Sequence, residues 1–368
     1  MKKLTALALA MTLLLFLTAC GESKMVRELN VYNWGEYISD GTDGSLDTIA
    51  AFETWYEETY GEPVRVNYTT FFSNEDLYSK LSMGAVSYDL IFPSDYMVAR
   101  MREEDMLLPL NFDNIPNYSA ISEDFHGLYY DPEDRYSIPY AYGMVGIIFD
   151  ANTVDPADVG SWDLLWNEKY ADSILQYNNS RDAFGSAMYR LGIDVNTADP
   201  AQWDLAFEAL NQQRPLVKSY VMDEIYNLMQ SGEASVGSYY VGDYFLMQEA
   251  QAENIDLQFY YPEPTNFFVD AMCIPKGAQD PELAEIFMNF LLSQEIAIAN
   301  AEYIYCPVPN RLVYENEAYR EEMGSEAMAI MYPELGSFFT LYNEYAYRNL
   351  SPEQLDYLNG LWEKLKVN

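Results

Sequence analysis

The chain has 368 residues, a length that suggests about two domains, each able to bury its own core. It carries 20 Lys and Arg against 58 Asp and Glu, a formal net charge of −38, which excludes nucleic acid and anionic lipid as recognised partners. With three cysteines and one histidine, no cluster has zinc spacing, and a Ser-His or Cys-His catalytic site would have to use His126 alone. That residue sits in the polar stretch "EDFHGLYYDPEDR", which reads as a surface loop.

In chain order, Lys2 and Lys3 precede an apolar run from Leu4 to Leu17, and the chain then reads Leu17-Thr18-Ala19-Cys20, the charged, apolar, small pattern of an export signal. The run is short for crossing roughly 30 Å of hydrocarbon. Its end resembles the signal of bacterial lipoproteins, which implies removal of residues 1–19, lipidation of Cys20 and a polar tether over 20–27. "LNVYNWGEY" follows, a strand through Val31 that ends by presenting Trp34, Glu36 and Tyr37 together. An aromatic pair around a carboxylate is either plain packing or a way to hold an organic cation.

Residues 45–60 space Leu46, Ile49, Phe52, Trp55 and Tyr56 at helical intervals and stop at Gly61; "PVRVNY" then alternates as a strand. This is a βαβ unit, which closes a parallel pair. A helix over "NEDLYSKLSMG" leads to the strand Leu90 to Phe92, ended by Pro93, so that Ser94 and Tyr96 lie at a strand's carboxyl end, where open α/β sheets bind ligands. "YSIPYAYGMVGIIFD" reads as strands passing from one lobe into the next. Beyond it, "SWDLLWNEKY" predicts a turn and short helix. Further helices run from about Asp182 to Leu191 and from about Asp199-Pro200 to Pro215, and "EASVGSYYVGDYF" is a strand entering a glycine turn. "NFFVDAMCIPKGA" is a strand returning to the first lobe, and helices over 281–292 and 294–302 lead to "YIYCPVPN". The predicted architecture is α/β: two lobes joined by several crossings, with lobe 1 formed by 28–140 and 268–310 and lobe 2 by 141–267 and 311–368. A ligand touching both lobes would favour their closed arrangement.

"NVYNWGEYI", "YDLIFPSDYMVARM", "YSIPYAYGMVGIIFD", "SWDLLWNEKY", "FFVDAMCIPKGA" and "PVPN", in this order, resemble the spermidine/putrescine-binding proteins of bacterial polyamine ABC importers. The resemblance covers nearly all of the chain beyond the leader. It implies a type II periplasmic-binding-protein fold with a polyamine between the lobes, no cofactor or metal, no enzymatic activity, and partners in a permease with its ATPase. It further implies a monomer, lipid-anchored at the outer face of the cell membrane. The family's contacts fall on Trp34, Glu36 and Tyr37, on Ser94 and Tyr96, on Asp182, on Tyr240 and Phe268 where tryptophan is more usual, and on Asp270.

A polyamine is a methylene chain with ammonium groups at intervals, so its site combines aromatic walls with spaced carboxylates. A carboxylate such as Asp270 in a buried strand needs a partner. The departures concern the ligand's identity. Asn179 stands where the family has an acid, Cys306 where it has an aromatic ring, and Arg348 near an amide contact. Asn179, together with Arg348 if it faces the cleft, would leave one end less negative, so that a diamine, or a cation with one neutral or anionic end, would be preferred over spermidine. Other readings are a receptor for another small organic cation or amino-acid-like amine, a glycosidase using Asp182 and Asp270, and an adhesion lipoprotein. Cys273 and Cys306 are either a disulfide or two free thiols.

Overall fold

The computed structural model describes residues 26–84 and 86–367; the leader and Cys20 lie outside the described residues. Strand β1 (Arg27–Trp34) buries Leu29, Val31 and Tyr32. Helix α1 (Thr48–Tyr60) begins where the Asp47 side chain accepts a hydrogen bond from Ala50 N–H, and it ends at Gly61, whose φ of 71° suits a residue without a side chain. Phe52 and Tyr56 form its buried stripe. Strand β2 (Val64–Phe71) then pairs parallel with β1, helix α2 (Asn74–Met83) crosses back, and the short β3 (Leu90–Ile91) pairs parallel with the other edge of β1. Helix α3 (Asp95–Glu103) starts directly beyond β3.

Strand β4 (Ser137–Asp150) joins the lobes as one continuous element of 14 residues, every one buried. Such an unbroken apolar run belongs to a strand covered on both faces. The remaining strands are β5 (Ile174–Tyr177), β6 (Val217–Val221), β7 (Val236–Tyr240), β8 (Leu257–Tyr260) and β9 (Phe267–Cys273). The first half of β4 pairs antiparallel with β9, with a register shift between Pro139 and Ala141; its second half pairs with β7 and β8. The order β2-β1-β3-β9-β4-β7-β5-β6 therefore describes two twisted sheets that share β4. The strand "FFVDAMC" pairs with β3, as its predicted return to the first lobe requires. This is the two-lobed fold of periplasmic binding proteins.

Helices α4 (Ser180–Leu191), α5 (Pro200–Gln213) and α6 (Glu224–Gln230) follow the second-lobe strands. Where a glycine turn is predicted after Tyr240, the chain instead enters helix α7 (Val241–Glu249). Gly242 is needed for close approach: a Cβ there would lie 2.6 Å from the carbonyl oxygen of Ile304. That neighbour is 62 residues away in sequence, so no local signal marks it. Helices α8 (Pro281–Leu291) and α9 (Gln294–Ile304) pack on lobe 1, where Phe287 and Phe290 meet Phe52 edge-on.

Three further helices, α10 (Glu317–Met331), α11 (Leu335–Tyr345) and α12 (Pro352–Val367), close the chain. α11 lies against β9, whereas α12 packs on α5, so the C-terminal segment touches both lobes. No helix among the described residues is long and apolar enough to cross a membrane. Cys273 and Cys306 are buried free thiols.

Candidate functional site

Parallel strands aim their carboxyl ends the same way, and both lobes aim them at one cleft. In lobe 1, β1 ends at Trp34, β2 at Phe71, and β3 leads to Ser94, Asp95 and Tyr96; in lobe 2, β5 leads to Asn179, β6 to Met222 and Asp223, and β7 to Tyr240. All of these residues line one cavity. The antiparallel β9 adds Phe268 and Asp270 to its floor, and Tyr347 arrives from the segment between α11 and α12. Of the 22 lining residues, nine are aromatic, five are aspartates and none is lysine, arginine or histidine.

The aspartates are held differently. Asp270 is 5% exposed, and its Oδ2 accepts a 2.6 Å hydrogen bond from the Tyr37 hydroxyl, while Oδ1 has no partner in the protein. Burial pushes its pKa up to about 6, against the lowering effect of the neighbouring Ser94 and Tyr37 hydroxyls. Asp182 accepts from Asn179 Nδ2 at 2.6 Å and from the Tyr240 hydroxyl at 3.1 Å; burial raises its pKa. Asp223 and Asp243 accept from the hydroxyls of Tyr239 (3.1 Å) and Tyr226 (2.5 Å), respectively. Burial raises both, Asp243 to about 7, and the neighbouring Asp223 and Glu36 add to that shift. Asp95 also rises to about 7 through burial, although it accepts bonds from Tyr342 Oη at 2.8 Å and from the backbone N–H of Val269 at 3.2 Å.

No ion pair satisfies any of these five aspartates among the described residues. Asp95, Asp182 and Asp243 stand in first helical turns, where the helix dipole supports the negative form against the effect of burial. The arrangement holds negative charge between aromatic faces. A flexible organic cation satisfies both features, whereas an anion satisfies neither.

Ten of the residues singled out by sequence line the cleft: Trp34, Tyr37, Ser94, Tyr96 and Asn179 with Asp182, Tyr240, Phe268, Asp270 and Cys306. Tyr240 and Phe268 meet edge-on, their centroids 5.5 Å apart. Two residues lie elsewhere. Glu36, at a φ of 49°, is exposed in a neighbouring hollow, where its Oε2 accepts from Tyr303 Oη at 2.8 Å. Arg348 does not line the cleft: its guanidinium lies 3.6 Å from the centroid of Tyr129 and donates to the carbonyl of Asn343. Aromatic stacking holds that charge outside, which removes the basis for expecting a positive cleft end. Asn179 acts as a helix cap, its Oδ1 accepting from Asp182 N–H at 2.8 Å.

Sequence reasoning missed Asp95, Asp223, Asp243, Asn266 and Tyr347. The rule that exposed Ser94, a polar residue just past a parallel strand, would also have found Asp223 after β6. Tyr347 has no comparable signal, because its place in the wall depends on the path of the C-terminal segment.

Two α/β lobes around a cleft between strand ends define a solute-binding protein of the periplasmic type. The chain matches the family described as bacterial extracellular solute-binding protein over residues 85–332, and it belongs to that family. It is 31% identical over 329 residues to the spermidine/putrescine-binding periplasmic protein of Salmonella typhimurium, covering 86% of this chain and 90% of that protein. The protein of the same name from Escherichia coli is 33% identical over 286 residues, 77% of each chain. The solved structure of the spermidine/putrescine ABC transporter substrate-binding protein PotD from Streptococcus pneumoniae superposes with a TM-score of 0.71 at 30% identity, over 92% of this chain and 98% of that one.

Proposed function

We propose that the protein is the receptor of an ABC importer: it captures a linear polyamine of the putrescine or spermidine type in its cleft and presents it to a permease and its ATPase. The observation that carries this reading is the cleft wall, with nine aromatic residues, five aspartates and no basic side chain. Aromatic faces cover methylenes and attract ammonium groups, each contact worth about 0.5–2 kcal/mol. Charge-assisted hydrogen bonds to the carboxylates add about 1.5–3 kcal/mol each. A few such contacts reach micromolar affinity, roughly −8 kcal/mol, after ordering costs.

Within this reading Trp34, Tyr37, Tyr96, Tyr240 and Phe268 form the apolar walls, while Asp182 and Asp270 take ammonium groups, with Ser94, Asn179 and Cys306 shaping the site around them. Lobe 1 comprises 28–140 and 268–310 and lobe 2 comprises 141–267 and 311–368. Export, followed by lipid attachment at Cys20, holds the monomeric receptor at the outer face of the membrane. The protein performs no catalysis; the aspartates bind charge and do not cleave a substrate.

Thermal unfolding of the domain starting after the tether, at physiological salt, tests the reading with putrescine, spermidine, spermine, γ-aminobutyrate and a neutral sugar. A ligand at one hundred times its dissociation constant stabilises the folded state by about 2.7 kcal/mol, which raises the midpoint. Selective stabilisation by the polyamines is expected. A shift with the sugar and none with any amine would overturn the assignment.

A further inference from the structure

Arg181, at 3% exposed, is the one basic side chain among the described residues that is more than nine-tenths buried. A buried charge is normally paired with an opposite one. Arg181 has no such ion pair among the described residues, although the chain carries 58 acidic side chains. Its Nη1 donates to the carbonyl of Val195 at 2.8 Å, and its Nη2 donates to Asn196 Oδ1 at 2.8 Å and to the carbonyl of Arg348 at 3.3 Å. The guanidinium lies 4.3 Å from the centroid of Tyr347, and its Nε has no partner.

Arg181 lines a hollow whose wall is formed by α2 and α3 on one side and by α4 and the start of α12 on the other. Two more guanidiniums line it. Arg100 donates its Nε to Glu104 at 3.0 Å and stacks on Tyr78, but its terminal nitrogens bond to nothing among the described residues. Arg348, stacked on Tyr129, leaves its Nη1 without a partner. Ser79 and Ser180 add hydroxyls with no partner among the described residues. Ser180 and Pro352 are also the first residues of α4 and α12, at the positive ends of the helix dipoles. Two carboxylates share the wall: Glu75, which accepts from Tyr96 Oη at 3.0 Å and whose pKa burial raises, and the exposed Asp356. Three guanidiniums outnumber them. The net charge of −38 does not reach in to cancel this, since salt screens charges beyond about 8 Å.

We propose that this hollow is a second ligand site, which takes a small oxyanion of two or more negative charges, a phosphate or a di- or tricarboxylate, between Arg100 of α3 and Arg181 of α4. Planar guanidiniums present paired N–H donors that match such oxygens, and the rings stacked on them hold their donor edges in place. Within the lobes proposed above, Arg100 belongs to lobe 1 and Arg181 to lobe 2. A bound anion therefore favours the closed arrangement, and by reciprocity anion and amine each tighten the other's binding. The site itself stands independently of the amine-binding reading; the coupling rests on it.

Calorimetric titration with inorganic phosphate and with citrate, in chloride buffer at constant ionic strength, tests the site on the wild type, Arg181→Gln and Arg100→Gln. One equivalent of anion is expected to bind the wild type, and either variant should weaken it about tenfold or more, in line with loss of a charge-assisted contact. Arg100→Gln, at a half-buried position, keeps the test decisive if loss of the buried Arg181 impairs folding. Binding of phosphate alone supports the site and names the inorganic ion; binding of citrate alone supports it and names the carboxylates. With the anion at saturation, putrescine should bind the wild type several-fold tighter and Arg100→Gln no tighter. Failure of both anions to bind, or binding that neither variant weakens, would overturn the site. A bound anion that leaves putrescine affinity unchanged would overturn the coupling alone. A bound anion in a protein that binds no amine would overturn the reception and leave the anion site standing.

Discussion

Asp270 and Arg348 make an instructive contrast, because both are charged residues in largely buried surroundings and the fold treats them in opposite ways. Arg348 lies between Tyr129 and Tyr342, with its backbone N–H bonded to Asn196, and serves to anchor the C-terminal segment. Asp270 lies on a central strand, between Val269 and Ala271, with one oxygen bonded to Tyr37 and the other unpartnered. One nitrogen of the guanidinium lacks a hydrogen-bond partner just as Asp270 Oδ1 does, but the cation lies against the protein's own rings and outside the cleft, whereas the anion lines the cleft where a ligand can reach it. That difference separates a structural charge from a receptive one.

The largest effect is expected at the receptive charge. Asp270→Asn should lower polyamine affinity roughly thirtyfold to a hundredfold, the loss of a buried charge-assisted hydrogen bond, in a calorimetric titration. The same substitution should leave the ligand-free unfolding midpoint unchanged or raised, since it removes a desolvated carboxylate. A large fall in that midpoint would show Asp270 to be structural after all.

A pH series sharpens the contrast next. The folded-state values of Asp270 and Asp243, about 6 and about 7, lie above the ordinary 3.8. The folded protein therefore holds these protons more tightly than the unfolded chain, and the two groups' contribution to ligand-free stability is lost as pH rises from about 4 to 7. Polyamine affinity should change in the opposite direction, rising several-fold between pH 5 and 8 as the carboxylates ionise while the amines stay charged. Proton release on binding near pH 6, read from titrations in buffers of different ionisation heat, checks the linkage.

Asp182→Asn should weaken polyamine binding by about tenfold through loss of one charge-assisted contact. The smallest effect on binding belongs to the structural charge: Arg348→Ala should change polyamine affinity by less than about twofold while lowering stability by about 1 kcal/mol through lost stacking. Denaturant unfolding alongside titration separates the two quantities. A marked gain in spermidine affinity in this variant would place the guanidinium in the cleft.

Local chemistry made much of this protein legible. The alternation in "PVRVNY", the helical spacing of Phe52 and Tyr56, and Pro93 ending the strand of Leu90 to Phe92 are all decided by neighbours in sequence, and the elements follow them. The same holds for Trp34, Tyr37, Ser94 and Tyr96, because residues past the carboxyl end of a parallel strand are delivered to the cleft whatever the rest of the fold does. Asp182 was legible for the same reason, on the first turn of a helix after β5.

Tertiary structure alone decided the rest. Gly242 reads as a turn until Ile304 is packed against it. Tyr347 becomes a wall only after the C-terminal segment has crossed between lobes, and Arg348 leaves the cleft because Tyr129, more than 200 residues earlier, offers it a face. Glu36 was expected inside on the strength of its aromatic neighbours, yet the backbone turns at a φ of 49° and directs it outward. The physical reason is range: strand, helix and cap are set by interactions over a few residues, whereas which charge is satisfied internally and which is left for a ligand depends on contacts between chain segments that the order of residues does not bring together.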